Sequence, residues 1–247
     1  MEISIMTAPR INSWAMTHPG AKRGHNEDAL VNRPDLGLWA VADGAGGHSA
    51  GEVASGMIAE ALEAIPQGLS ASELLAEVRL RILATHDALR EEAARRGENV
   101  MIASTIVVML ARNEHFACLW AGDSRAYLLR RGELQQITRD HSLVQEMVDA
   151  GLVRPEDAEG HPRANVITRA VGATMDNAFE MDKVSDRILP GDRFLLCSDG
   201  LCKTLSASDI ASLLASDNGV SPPEALIAAA LAAKASDNVT AVTVVVD

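Results

Sequence analysis

The apolar run LWAVA, residues 38–42, stops at Asp43, and four of the next eight residues are glycine. Val53, Met57, Ile58, Leu62 and Ile65 then recur at helical spacing, which predicts a helix over 51–65. A second helix is predicted over 72–96, with Leu75, Val78, Ile82 and Leu89 on one face. Its start carries the capping pattern Ser70-x-x-Glu73, and Gly97 supplies a stop. Four apolar runs follow as a block of strands at 104–112, 115–121, 125–131 and 133–138. Short turns of NE, GDS and RG type join them, which predicts antiparallel neighbours. A short helix over 142–150 ends at Gly151, and 151–165 has the composition of a surface loop. Strand 193–198 precedes two capped helices, one opening at Ser206 with Asp209 three residues on, the other at Ser221-Pro-Pro-Glu224. The chain finishes on VTAVTVVV, 239–246. Strands in blocks and helices in pairs predict an α+β sandwich with antiparallel sheets. With no repeat or low-complexity linker, 1–247 reads as one domain, with 1–11 a loose lead-in.

A chain of 247 residues can bury a sizeable core. Aromatics make up only 3%, so Ala, Val, Leu and Ile must build that core. The formal net charge of −12 repels phosphate backbones and anionic lipid, which argues against nucleic-acid or membrane-surface partners. Cys118 and Cys197 sit inside apolar runs and read as small core residues, whereas Cys202 is expected to be more exposed. With no CxxC spacing, a reducing compartment is expected rather than a disulfide frame or zinc ribbon. No basic-then-apolar leader opens the sequence, and no apolar run approaches the ~18 residues of a membrane span. A soluble, cytoplasmic protein is the expectation.

The candidate chemistry lies at strand ends. If 28–32 and 38–42 pair about RPDLG, Asp28 falls opposite Asp43, and opposed residues have Cβ atoms only ~4.5–5.5 Å apart. Carboxylates that close repel unless a cation or proton intervenes. Asp199 closes the strand RFLLCS and Asp237 precedes VTAVTVVV, so antiparallel pairing of those strands would set Asp199 beside Asp237. Asp123 caps a further strand. Any one Asp at a strand end is most simply a turn residue. Asp217, in SDNGVSPP, is read that way, whereas Asp237, in SDNVTAVTVVV, leads straight into a core strand. The bland reading weakens because Glu27, Asp28, Asp43, Asp123, Asp199 and Asp237 all flank apolar strands. Oxygen ligands without His or Cys favour Mg²⁺ or Mn²⁺ over zinc. Gly44 would let a backbone carbonyl approach such an ion, and Asp43 would end its strand in order to hold it.

Seven blocks, in order, carry a family resemblance: KRGHNEDAL, VADGAGGHSAGE, AGDSRAYLL, TRDHSLV, NVITRAVG, LLCSDGL and SDNVTAVTV. Together they resemble the metal-dependent serine/threonine protein phosphatases of type 2C in their compact bacterial form. The resemblance implies a four-layer αββα sandwich, two antiparallel sheets flanked by helix pairs, with a two-metal centre of Mn²⁺ or Mg²⁺ at one end. By motif position, Asp43 would bridge both ions and the Gly44 carbonyl would bind one. Asp199 and Asp237 would hold the other, with Glu27 and Asp28 acting through metal-bound waters. Asp123 matches the position that joins Asp199 at a third ion in bacterial members. Arg23 matches the arginine that grips the substrate phosphate, a task suited to a planar guanidinium fork. A hydroxide between two ions ~3.5–4 Å apart would attack phosphorus in line, with charge on the phosphoryl oxygens offset by the ions and Arg23. On this resemblance Asp43, Asp199 and Arg23 form the catalytic set, and Cys202 is not a nucleophile.

Many eukaryotic relatives place a general-acid His where this chain has Ala45. A metal-bound water is the stand-in, since His25, His48, His141 and His161 have weaker claims: His141 reads as cap or packing, and His161 lies in the flap-like loop 151–165. Phosphorylated Ser/Thr proteins, a cognate Hanks-type kinase and its substrates are the implied partners, with type VI secretion regulation as one setting and a monomer as the expected state. Rival readings are another two-metal phosphoesterase, a non-catalytic phosphoprotein-binding module on the same fold, and a passive divalent-cation protein.

Overall fold

The structure, a computed structural model, describes residues 10–46, 50–97, 100–173, 179–217 and 219–247. The chain opens with β1 (Ile11–His18), β2 (Asp28–Arg33) and β3 (Leu38–Ala45), followed by helices α1 (Ala50–Glu63) and α2 (Ala71–Arg96). Next come β4 (Ala103–Ser104), β5 (Ile106–Arg112), β6 (His115–Ala121), β7 (Arg125–Arg130), β8 (Glu133–Gln136) and α3 (Leu143–Asp149). The remainder is β9 (Asp182–Arg187), β10 (Arg193–Cys197), α4 (Asp199–Cys202), α5 (Ala207–Ala215), α6 (Pro222–Ala232) and β11 (Val239–Val246). One sheet has the order β1-β11-β10-β7-β8, the other β2-β3-β5-β6-β9 with β4 on β3, and the neighbours are antiparallel.

Three apolar layers make this an αββα sandwich. Trp39, Val107, Met109, Phe194, Leu196 and Val242 pack between the two sheets. Ile106, Val108 and Leu110 point the other way, toward Ile58 and Leu62 of α1 and Val78 and Ile82 of α2. On the far side, Leu195, Cys197 and Ala241 meet Ile210 of α5 and Leu226 of α6. Strands buried on both faces need no polar alternation, which is why they read as continuous apolar runs.

Local chemistry sets several boundaries. Ser70 and Glu73 form a reciprocal capping box on α2, as do Ser206 and Asp209 on α5. The β2–β3 turn closes with the Leu36 N–H donating to the Arg33 carbonyl (3.0 Å) and Gly37 at φ +58°. Gly37 also packs against the Ala111 carbonyl, where a Cβ would stand 2.2 Å away.

Other features depart from the sequence expectation. Residues 11–18 form an edge strand on β11 where no element was expected, and the expected lead-in, 1–11, lies almost wholly outside the described residues. β9, sequence DKVSDR, was not expected, because a polar edge strand carries no apolar run. The run 104–112 breaks at Thr105. β3 continues through Asp43 to Ala45 rather than ending at the carboxylate, because β4 and the Thr105 N–H, donating to the Asp43 carbonyl at 2.8 Å, prolong its pairing. Gly122-Asp123-Ser124 does not join sheet neighbours: it carries the chain from β6 in one sheet to β7 in the other. Cys202 is buried, 5% exposed, in the layer against α5 and α6.

Phe194 is 1% exposed and stands edge-on to Phe116 with ring centroids 4.9 Å apart, in a core otherwise poor in aromatics. Phe194→Ala is expected to cost about 3–5 kcal/mol, read from the denaturant midpoint at unchanged m-value.

Candidate metal centre

The β2–β3 register pairs Asp28 directly with Asp43 at the end of the hairpin. Asp28 is buried, and its Oδ2 accepts from Ser198 Oγ (2.8 Å) and Thr240 Oγ1 (2.6 Å), hydroxyls that belong to the opposite sheet or its edge. Burial raises the Asp28 carboxyl to about 7; the two hydroxyl donors hold it down, and Asp199 and Asp237 push it further up. Asp43 is held well above the usual carboxylate range, first by burial and then by the charges of Asp28, Asp199, Asp123 and Asp237. Five carboxylates from distant parts of the chain therefore share one electrostatic neighbourhood.

The backbone around Asp43 is fixed by hydroxyls. Its N–H donates to Thr105 Oγ1 (3.2 Å), its carbonyl accepts from Ser104 Oγ (3.0 Å), and Thr105 Oγ1 also bonds Ser124 Oγ (2.7 Å). Asp43 is thereby tied to the loop that carries Asp123. The Gly44 N–H donates to the Glu27 carbonyl (3.1 Å), and a Cβ on Gly44 would stand 2.0 Å from the Gly51 carbonyl. A Cβ on Gly51 would likewise meet the Glu27 carboxyl carbon at 2.8 Å.

In the far half of the chain, β10 and β11 pair antiparallel, and Ser198 donates its N–H to the Thr240 carbonyl (3.2 Å). Asp199 opens α4, two positions beyond the end of β10, the strand it was expected to close. Gly200 packs against the Asn238 carbonyl, leaving 2.0 Å for any Cβ, so the Asp199 and Asp237 segments abut as the strand pairing predicts. Asn238 organises the loop before β2: its Oδ1 accepts from the Glu27 N–H (2.9 Å), and its Nδ2 donates to the carbonyls of Pro19 (3.0 Å) and His25 (2.9 Å). Arg23, on that loop, donates from Nη2 to Asp237 Oδ2 (2.9 Å).

Residues 21–221 match the family described as protein phosphatase 2C. The chain belongs to the protein phosphatase 2C family. It is 36% identical to the serine/threonine protein phosphatase PstP of Mycobacterium tuberculosis over 92% of its own length, and spans 43% of the length of that relative. The fold superposes on PppA, a regulatory component of the type VI secretion system in Pseudomonas aeruginosa, with TM-score 0.88 and 40% identity over 97% of this chain and 99% of that one. It also superposes on the catalytic domain of PstP in complex with two manganese ions, with TM-score 0.85 and 33% identity over 97% of this chain and 99% of that one.

Within this phosphatase 2C fold, three of the carboxylates already have cationic partners. Lys203 Nζ donates to Asp199 Oδ2 (2.6 Å) and Asp123 Oδ2 (3.1 Å), and Arg23 holds Asp237. Among the described residues, no three acidic, His or Cys side chains form a ready-made cage for an ion. Asp28 Oδ1 and Asp123 Oδ1, however, are buried oxygens with no hydrogen-bond partner. Such atoms cost free energy unless something cationic reaches them. Hard oxygen donors, orphaned buried oxygens and clustered negative charge fit divalent cations beside Asp28 and Asp43. Between Asp123 and Asp199 the Lys203 ammonium stands against one oxygen of each carboxylate, while Asp123 Oδ1 stays without a partner.

Sequence reasoning missed Ser198, Thr240, Thr105, Ser124, Asn238, Gly51 and Lys203. Asn238, Ser124, Ser198, Thr240 and Gly51 lie inside the blocks that carry the resemblance, which was their only signal, and Thr105 and Lys203 lie outside them. His141 serves packing, as expected: Nδ1 accepts from the Gly122 N–H (3.2 Å), the ring stacks on Trp120, and burial lowers its basicity. His48 lies outside the described residues.

Removing one negative charge from this cluster should stabilise the metal-free protein. In EDTA, Asp43→Asn is expected to raise stability by about 1 kcal/mol, or roughly 2–4 °C in Tm for a chain of this size, by calorimetry or thermal circular dichroism. An unchanged or lower Tm would show that the carboxylates are not in effective repulsion.

Proposed function

We propose that the chain is a metal-dependent protein phosphatase that hydrolyses phosphoserine and phosphothreonine. The observation that carries this reading is the convergence of carboxylates on Asp43, with two of the buried oxygens left without partners. Asp43 and the Gly44 carbonyl, Asp199 and Asp237 would hold Mn²⁺ or Mg²⁺, with Glu27 and Asp28 acting through water. When bound, the ions supply Lewis acidity and lower the pKa of water, so that a nucleophile for phosphorus exists near neutral pH.

This chain's own residues do the rest. Arg23 is half exposed at the rim of the site, and Asp237 holds one end of its guanidinium fork in place. The remaining N–H groups are suited to phosphoryl oxygens, where a charge-assisted fork both orients the group and offsets charge developing on it. Asp28, gripped by Ser198 and Thr240, fixes one wall of the site. Ala45 offers no proton, and His141 is committed at both ring nitrogens, Nδ1 to the Gly122 N–H and Nε2 to Asp182 (3.3 Å), so the leaving seryl or threonyl oxygen takes its proton from water. Ala45→His is expected to raise turnover and shift its pH dependence; no change in either would remove the reason for assigning that proton to water.

The substrates in this reading are phosphorylated proteins, including those of an opposing Ser/Thr kinase. Likeness to PppA supports secretion-system control as one setting. Among the described residues, no helix is long and apolar enough to cross a membrane. A cytoplasmic monomer completes this reading.

The decisive experiment is hydrolysis of a phosphothreonine peptide with Mn²⁺, Mg²⁺ or EDTA, beside Asp199→Asn. Turnover should require metal and collapse in the variant. Folded protein that binds Mn²⁺ without turnover would instead indicate a phosphoprotein-binding module. Arg23→Ala is expected to lower kcat/KM about tenfold to a hundredfold, the worth of a hydrogen bond to a charged group.

A further inference from the structure

Lys203 follows Asp199 by one helical turn, and its side chain reaches back over α4. Its Nζ lies 2.6 Å from Asp199 Oδ2, 3.1 Å from Asp123 Oδ2 and 2.9 Å from Asn165 Oδ1. An ammonium group has three N–H bonds, and here each has an acceptor. Two of the three acceptors are carboxylates brought together from the β6–β7 connection and from α4. Asp123 is 3% exposed, so its charge lies out of reach of bulk solvent and requires a local counterion. The third acceptor belongs to the loop 151–165.

We propose that the Lys203 ammonium is a built-in cation standing between Asp123 and Asp199, where the family resemblance would set a third divalent ion, so that this chain works with two ions. The inference rests on the two-metal reading above and concerns only the adjoining position. Mutual exclusion follows from size and charge. A divalent ion bound to both carboxylates would lie at about 2.0–2.2 Å from their oxygens, inside the space that Nζ fills. It would also stand against a fixed positive charge. Because an amino-acid side chain cannot dissociate, the countercharge at Asp123 and Asp199 is independent of divalent-ion concentration. The same holds for the tie to Asn165, which anchors the end of loop 151–165 to the centre without an ion.

The test is to count ions. Metal-free wild type, Lys203→Ala and Lys203→Asp are titrated with Mn²⁺, with free ion followed by electron paramagnetic resonance and heats by calorimetry. Circular dichroism checks the fold, and the wild-type count tests the inference even if a variant fails to fold. Wild type is expected to take two ions. Lys203→Asp is expected to take three, and Lys203→Ala a third of weaker affinity; adding Asp123→Asn to either should abolish that third ion. Three ions in wild type would overturn the inference and leave the two-metal reading intact. Two ions in wild type and in both folded variants would overturn it as well. No uptake by wild type would overturn the two-metal reading and the inference with it.

Discussion

Asp28 sits where the two sheets of the sandwich meet, and much of the centre hangs on how its carboxylate is held. Its Oδ2 takes two hydroxyl hydrogens, from Ser198 and Thr240, while hairpin pairing presses it against Asp43. Hydroxyl donors lower the cost of burying that charge without cancelling it. The fold therefore carries an only partly compensated electrostatic load at one end of an otherwise well-packed core. Perturbed titratable groups concentrated in one place are a mark of sites shaped for chemistry rather than for stability. The sheets around it, buried on both faces, supply the stability that such a concentration of like charge consumes.

The hydrogen-bonding side chains around the centre divide into two sets. Thr105, Ser104 and Ser124 fix the backbone of Asp43 and join it to the loop of Asp123. Asn238 does the corresponding work for Glu27 and the Arg23 loop, reaching three backbone groups with one amide. The carboxylates are held separately: Asp28 by hydroxyls, Asp123 and Asp199 by Lys203, and Asp237 by Arg23. Neutral side chains position the backbone of the ligand segments, and Asp28 Oδ1 and Asp123 Oδ1 stay without partners.

What could be read from the sequence, and what could not, follows from the range of the forces involved. The Asp28–Asp43 pairing was legible because RPDLG centres a hairpin whose register is a local property. The α2 and α5 caps were legible for the same reason, being contacts three residues apart. β1 and β9 escaped because edge strands facing solvent need no apolar run. The GDS segment was misjudged as a hairpin turn because a short connection between strands does not reveal whether the chain stays in one sheet or crosses to the next. Cys202 was judged more exposed than it is because its cover comes from α5 and α6, which lie later in the chain. Lys203 was invisible because its partners Asp123 and Asn165 are distant in sequence, and a lysine after a helical turn ordinarily points to water.

The contact between Gly44 and Gly51 bears on how this protein can change. The two residues abut backbone to backbone, with Glu27 closing the gap, and neither position has room for a methyl group. That wall of the centre cannot be re-tailored by side-chain replacement, since every non-glycine residue would displace main chain. Divergence in what such a protein recognises is thus channelled away from the floor of the cleft and toward its rim, where loop 151–165 can vary in length and sequence at little cost to the fold.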